Sequence, residues 1–194
     1  MSPTYDVAVV GAGIVGLAHA FHLARQGTRV VVFERHSAAC GASIRNFGML
    51  WPIGQPAGRM HQMALRSRDL WLEVLAASGL WHARCGSLHL AYREDEALVL
   101  AEFAERAPSA NYQCKLLTPS EVTDRSPVVN PQGLIAGLWS DAEVCVDPRQ
   151  VIANLPNWLH RELGVQFEFS CPVTSYQQGV VVDGGKEWSA KQLL

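Results

Sequence analysis

Gly11-Ala12-Gly13-Ile14-Val15-Gly16 is the stretch of this chain best suited to chemistry, and the chemistry is the grip of a pyrophosphate. Each glycine of this GxGxxG has its own physical task. Gly11 permits a tight turn out of a strand, Gly13 lets the backbone come close to a phosphate, and Gly16 lets the following helix lie against the strand. N–H groups of the first helical turn, those of Ile14 and Val15 among them, have no intrahelical acceptor. With the helix dipole they favour an anionic oxygen. Glu34 stands eighteen residues after Gly16. A carboxylate there accepts hydrogen bonds from a ribose 2′-hydroxyl and repels a 2′-phosphate, so NAD or FAD is favoured over NADP.

Glycine-rich sextets are common, and this one gains its meaning from the elements that must position it. Val7–Val10 is a short β-branched run, the pattern of a buried strand. Leu17–Gln26 is rich in helix formers, and Gly27 is placed to end that helix. Thr28–Phe33 forms a second strand with Glu34 at its end. Strand, turn, helix and strand fit within about thirty residues, the size of a βαβ unit. Ala20 and Gly27 are small where the helix must approach the sheet.

From His36 to Gly58 six glycines and prolines interrupt any regular period, which predicts a long functional loop. Arg59–Ser78 returns to helical spacing, with Met60, Ala64, Trp71 and Leu75 on one stripe. Ser87–Tyr92 alternates as a half-buried strand, and Glu94–Arg106 is an amphipathic helix closed by Pro108. Thr118, Pro119 and Glu121 have the order of a capping box, and Asp147-Pro148 that of a helix start. The second of these helices runs to Leu163, stops at Gly164 and is expected to kink or break at Pro156. Further strands are expected at Leu134–Trp139, Val165–Phe169, Val173–Tyr176 and Val180–Val182, the last two joined around Gln178-Gly179. A last strand begins near Lys191.

Bulk properties exclude several classes. The 194 residues are 48% hydrophobic and 18% charged, enough to bury a sizeable core. A net charge of −2 offers no basic footprint for nucleic acid or anionic membranes. No apolar run approaches the roughly 20 residues of a membrane span. The N-terminus lacks a basic region and a signal-length apolar core, and the five cysteines are odd in number and without CxxC spacing. Reduced thiols in a cytoplasmic protein are the expectation. No metal site is expected: His19 and His22 lack a third ligand at matching spacing. His61, His82 and His89 are read as packing residues, and Trp51 as a candidate for a pocket wall.

Beyond the fingerprint, Glu34-Arg35, Gly41-Ala42-Ser43, Asn46 and Gly48-Met49-Leu50 resemble the D-amino-acid oxidase and glycine oxidase (DAO) family of FAD-dependent oxidoreductases. Gly86–Ala91 and Val146-Asp147-Pro148-Arg149 extend the resemblance to essentially the whole chain. It implies an α/β fold: a Rossmann-like FAD-binding domain of the glutathione-reductase type, with part of an inserted α+β substrate domain. Residues 1–80 and 146–194 would belong to the former and 81–145 to the latter, and the chain reads as the truncated first half of such a protein. It also implies the cofactor contacts. Ile14, Val15, Arg35 and Ala42 join the three glycines and Glu34 around the ADP half. Ser43 would touch a phosphate, Arg45, Asn46, Gly48 and Met49 the flavin, and Val173 the adenine side. Relatives with a covalent flavin often carry a histidine in this loop. Arg45 stands there instead, so the resemblance implies non-covalent FAD.

The implied reaction is oxidation of an amine or amino acid by hydride transfer to flavin N5, followed by imine hydrolysis. Small amine or amino-acid substrates are then the expected partners, with further copies of the chain if it forms a homo-oligomer. The run Ser43–Gln55 resembles a branch linked to aminophosphonates. No catalytic residue is assigned. Two alternatives stay open from the residues alone: an NAD-dependent dehydrogenase, and a non-catalytic nucleotide-binding fragment or subunit.

Overall fold

The computed structural model describes residues 4–177, 180–183 and 186–194, with only the backbone for 180–183 and 186. In chain order the strands are β1 Thr4–Val10, β2 Val30–Glu34, β3 Met49–Leu50, β4 His82–Ala83, β5 Ser87–Ala91, β6 Cys114–Leu117, β7 Ala136–Ser140, β8 Val144–Val146, β9 Gln166–Phe169, β10 Ser175–Gln177, β11 Val180–Asp183 and β12 Lys186–Leu193. The helices are α1 Ile14–Arg25, α2 Arg59–Ser78, α3 Glu94–Arg106, α4 Pro119–Arg125 and α5 Pro148–Leu163. The turn expected at Gln178-Gly179 lies outside the described residues.

The chain divides into two compact units, the first comprising residues 1–47, 78–80 and 147–194. Its six-stranded sheet has the order β10-β11-β12-β1-β2-β9. The four strands β12-β1-β2-β9 are parallel, and β10 and β11 add an antiparallel edge. Parallel strands covered on both faces read as continuous apolar runs. All five residues of β2, VVVFE, are accordingly buried. On one face Ala8, Val31, Phe33, Cys171 and Ala190 form a core joined by Trp188, whose ring meets Phe33 edge-on at 5.1 Å. α1 buries Leu17, Ala20 and Phe21, and Phe21 lies 6.2 Å from the Trp158 ring of α5.

Three sequence expectations for this unit change. Gly27 was expected to allow close helix–sheet approach, yet a Cβ there would meet open space. Its other expected role holds: at φ +81° it is the left-handed residue that ends α1. α5 runs unbroken through Pro156. A proline inside a helix costs about 3 kcal/mol. Here the helix buries Val151, Ile152, Leu155, Trp158 and Leu159 around it, at about 1.5–3 kcal/mol for each large side chain, so burial prevails. The last strand does not merely begin at Lys191: β12 is eight residues long and pairs in parallel with β1.

The second unit comprises residues 48–77 and 81–146. It holds two three-stranded antiparallel sheets, β3-β8-β4 and β5-β7-β6, with helices α2, α3 and α4. One core gathers Ile53, Ala107, Tyr112 and Leu138, and another Leu117, Val122 and Leu134. The sequence reading placed residues 48–77 with the first domain. Partners far along the chain place them in the second unit: Met49 pairs with Cys145, Ile53 N donates to Glu143, and His61 stacks on Tyr112. The α2 stripe shifts as well. Met60 is half exposed, while His61 takes the buried position beside it.

Candidate functional site

The glycine loop of the first unit is a built turn. β1 delivers Gly11 at φ +101°, a conformation side chains resist, and the Gly11 N–H donates to the Phe33 carbonyl at 2.7 Å. Gly13 caps α1 without a side chain, and the Leu17 N–H closes the first helical bond onto the Gly13 carbonyl at 3.0 Å. A Cβ on Gly16 would collide with the carbonyl oxygen of Gly11, so the third glycine is required by space.

Ser43 comes to this turn from a 3-10 turn at Ala42–Ile44. Its Oγ accepts the Ile14 N–H at 2.9 Å, and a Cβ on Gly13 would sit 3.1 Å from that oxygen. The hydroxyl is used as an acceptor, so its own proton is left to donate. N–H groups of Val15 and Gly16 have no intrahelical acceptor. Helix start and hydroxyl together offer donors and a positive dipole end, which fits a pyrophosphate. Asn46 steadies this turn by donating from Nδ2 to the Ser43 carbonyl at 2.8 Å. Ala42 and Arg45 on either side are exposed.

Glu34 is buried at the end of β2. Its Oε2 accepts the Ala12 N–H at 3.0 Å and its Oε1 the His36 N–H at 3.1 Å. A carboxylate offers about four acceptor positions, so two bonds to the loop leave capacity for ribose hydroxyls. Ala12 and His36 escaped the sequence reading because they take part through backbone alone. Arg35 is exposed, and Val173 packs half-buried on the core around Cys171.

The other predicted residues belong to the second unit. Gly48 is buried, and its carbonyl accepts the Val146 N–H at 2.8 Å. Met49 is 45% exposed opposite Cys145. Trp51 stacks on His89 with ring centroids 5.8 Å apart. The structure adds Glu143, fully buried and missed from sequence. Its Oε1 accepts the Ile53 N–H and its Oε2 the Ser87 hydroxyl, both at 3.1 Å. Ser87 Oγ lies 3.3 Å from His89 Nε2. His61 is buried against Tyr112 beside a cleft of about 90 Å³. Burial, then the positive charge of Arg68, pushes its pKa below the usual histidine value and favours the neutral ring. Among the described residues no group of three or more His, Cys, Asp or Glu side chains could hold a metal ion, and no helix is long and apolar enough to cross a membrane.

Known proteins resemble this chain in sequence and in fold. Residues 6–192 match the family described as DAO, FAD dependent oxidoreductase. Monomeric sarcosine oxidase of Streptomyces avermitilis is 30% identical over 100% of this chain and 52% of its own length. Glycine oxidase of Geobacillus kaustophilus is 39% identical over 80% of this chain and 43% of its own. The crystal structure of glycine oxidase from that organism superposes with a TM-score of 0.83 at 25% identity, covering 98% of this chain and 54% of that one. The chain thus spans about half the length of these relatives. The family cofactor is FAD, which sets aside the NAD alternative. The chain belongs to the DAO family of FAD-dependent oxidoreductases.

Proposed function

We propose that the protein oxidises the C–N bond of a small amine or amino acid with non-covalent FAD. The observation that carries this reading is the cradle of the first unit, where Ser43 Oγ meets the N-terminus of α1 beside a buried Glu34. Bound FAD supplies the acceptor for a hydride from the carbon next to nitrogen. The share of this chain is binding and orientation. Gly11–Gly16 and Ser43 would hold the pyrophosphate, Glu34 the ribose, and Val173 the adenine side. Ile14, Val15, Arg35 and Ala42 complete that half. Resemblance to the family extends the set to Arg45, Asn46, Gly48 and Met49 on the flavin. Arg45 offers a guanidinium where a histidine would serve covalent attachment, so denaturation should release free FAD.

The names of the relatives, sarcosine oxidase and glycine oxidase, point to small amino acids as the substrate class. Anaerobic addition of sarcosine, of glycine and of an aminophosphonate to the FAD-loaded protein tests this. Bleaching of the oxidised flavin band by at least one of them is expected. A flavin that stays oxidised with every amine offered, while dithionite reduces it, would contradict the reading.

A further inference from the structure

Cys85 and Cys145 lie 60 positions apart in sequence, yet their sulfurs are 3.2 Å apart in the second unit. Both are free thiols. The backbone holds them there from two sides. β4 pairs Ala83 with Cys145, and the Gly86 N–H donates to the Glu143 carbonyl at 3.2 Å. Cys85 falls between these two anchors. A disulfide needs a sulfur–sulfur distance of about 2.05 Å, so the sulfurs must close by about 1.2 Å, which small side-chain rotations supply.

We propose that Cys85 and Cys145 form an oxidant-sensitive dithiol that closes to a disulfide with hydrogen peroxide. Cys85 is exposed and meets the oxidant, while Cys145 is half-buried. The thiolate of Cys85 attacks one peroxide oxygen; an S–O bond forms, the O–O bond breaks, and hydroxide leaves to become water. The sulfur of Cys145 then attacks that of Cys85. The S–S bond forms, the S–O bond breaks, and the departing oxygen leaves as a second water with the Cys145 proton. Two thiols are oxidised and one peroxide is reduced. Burial raises the pKa of Cys145 to about 11, which suits the resolving thiol better than the attacking one. The bond would staple β4 to the central strand of its sheet, where Cys145 also stands opposite Met49. This inference does not depend on the substrate or on FAD.

The test is peroxide treatment of the reduced protein, alkylation by iodoacetamide and peptide mass spectrometry. A Cys85–Cys145 cross-linked peptide lacking two hydrogens is expected, reversed by dithiothreitol, with Cys40 and Cys114 still alkylated. Closure should be at least about tenfold faster than in the urea-unfolded chain, where 60 positions separate the thiols. In Cys85→Ser the cross-link disappears and Cys145 remains alkylatable. Equal rates in folded and unfolded protein would overturn the proposal. So would a folded protein whose two cysteines stay separately alkylated or pass to sulfinic acid without a cross-link.

Discussion

Gly16 and Ser43 make opposite demands on the same turn. Gly16 must have no side chain, because a Cβ would strike the Gly11 carbonyl. Gly16→Ala should destabilise the protein by about 1–3 kcal/mol as the turn shifts to make room, measured by urea denaturation. Ser43 must have its hydroxyl, because the Ile14 N–H has that oxygen as its acceptor. Ser43→Ala should cost about 1 kcal/mol and weaken FAD binding several-fold, and Ser43→Thr should restore part of both. The glycines were legible in sequence because their spacing is local. Ser43 was reached only through family resemblance, since 29 positions separate it from Ile14. Glu143 was not legible at all: its partner Ile53 is 90 positions away, and nothing local marks a charge that will be buried.

Among elements, legibility followed length and capping. The capping box of α4 was read correctly, with Thr118 Oγ1 accepting the Glu121 N–H at 3.3 Å and Glu121 Oε2 accepting the Thr118 N–H at 2.9 Å. The Asp147 cap of α5 was as well. β3, β4 and β8, of two or three residues each, escaped because so short a strand has no period and exists only through its partner. Strand ends are tied by charge. Asp6 on β1 accepts from Lys191 of β12 and from Arg29 beside β2, and these bonds hold its carboxyl at about 2. Lys115 and the Thr118 cap hold Glu121 at about 2 likewise. Folded-state values below the ordinary carboxylate range of about 4 give stability that is present above that range and lost as pH falls through about 2. Urea midpoints measured across this window should fall more for the native protein than for Asp6→Asn or Glu121→Gln. Closing the Cys85–Cys145 loop should act in the other direction. By loop entropy it would stabilise the second unit by about 4 kcal/mol, read as a higher melting temperature that dithiothreitol removes.

At the scale of the molecule, two units share one chain, and residues 147–194 return to the sheet that residues 4–34 begin. That return sets β12 beside β1 and so completes the support under the glycine turn. Asp147-Pro148 marks the return in sequence, whereas the second compact unit begins at residue 48 and the sequence reading starts the substrate domain at 81. Cofactor recognition is the claim on which the functional account rests, and it has a direct measurement. FAD fluorescence should fall saturably on titration with the protein. ADP should displace the flavin, while ADP carrying a 2′-phosphate should compete at least about tenfold more weakly, because in the proposed site the buried Glu34 carboxylate would face the ribose and repel that charge. Equal competition by the two nucleotides, or no saturable FAD binding, would contradict the account.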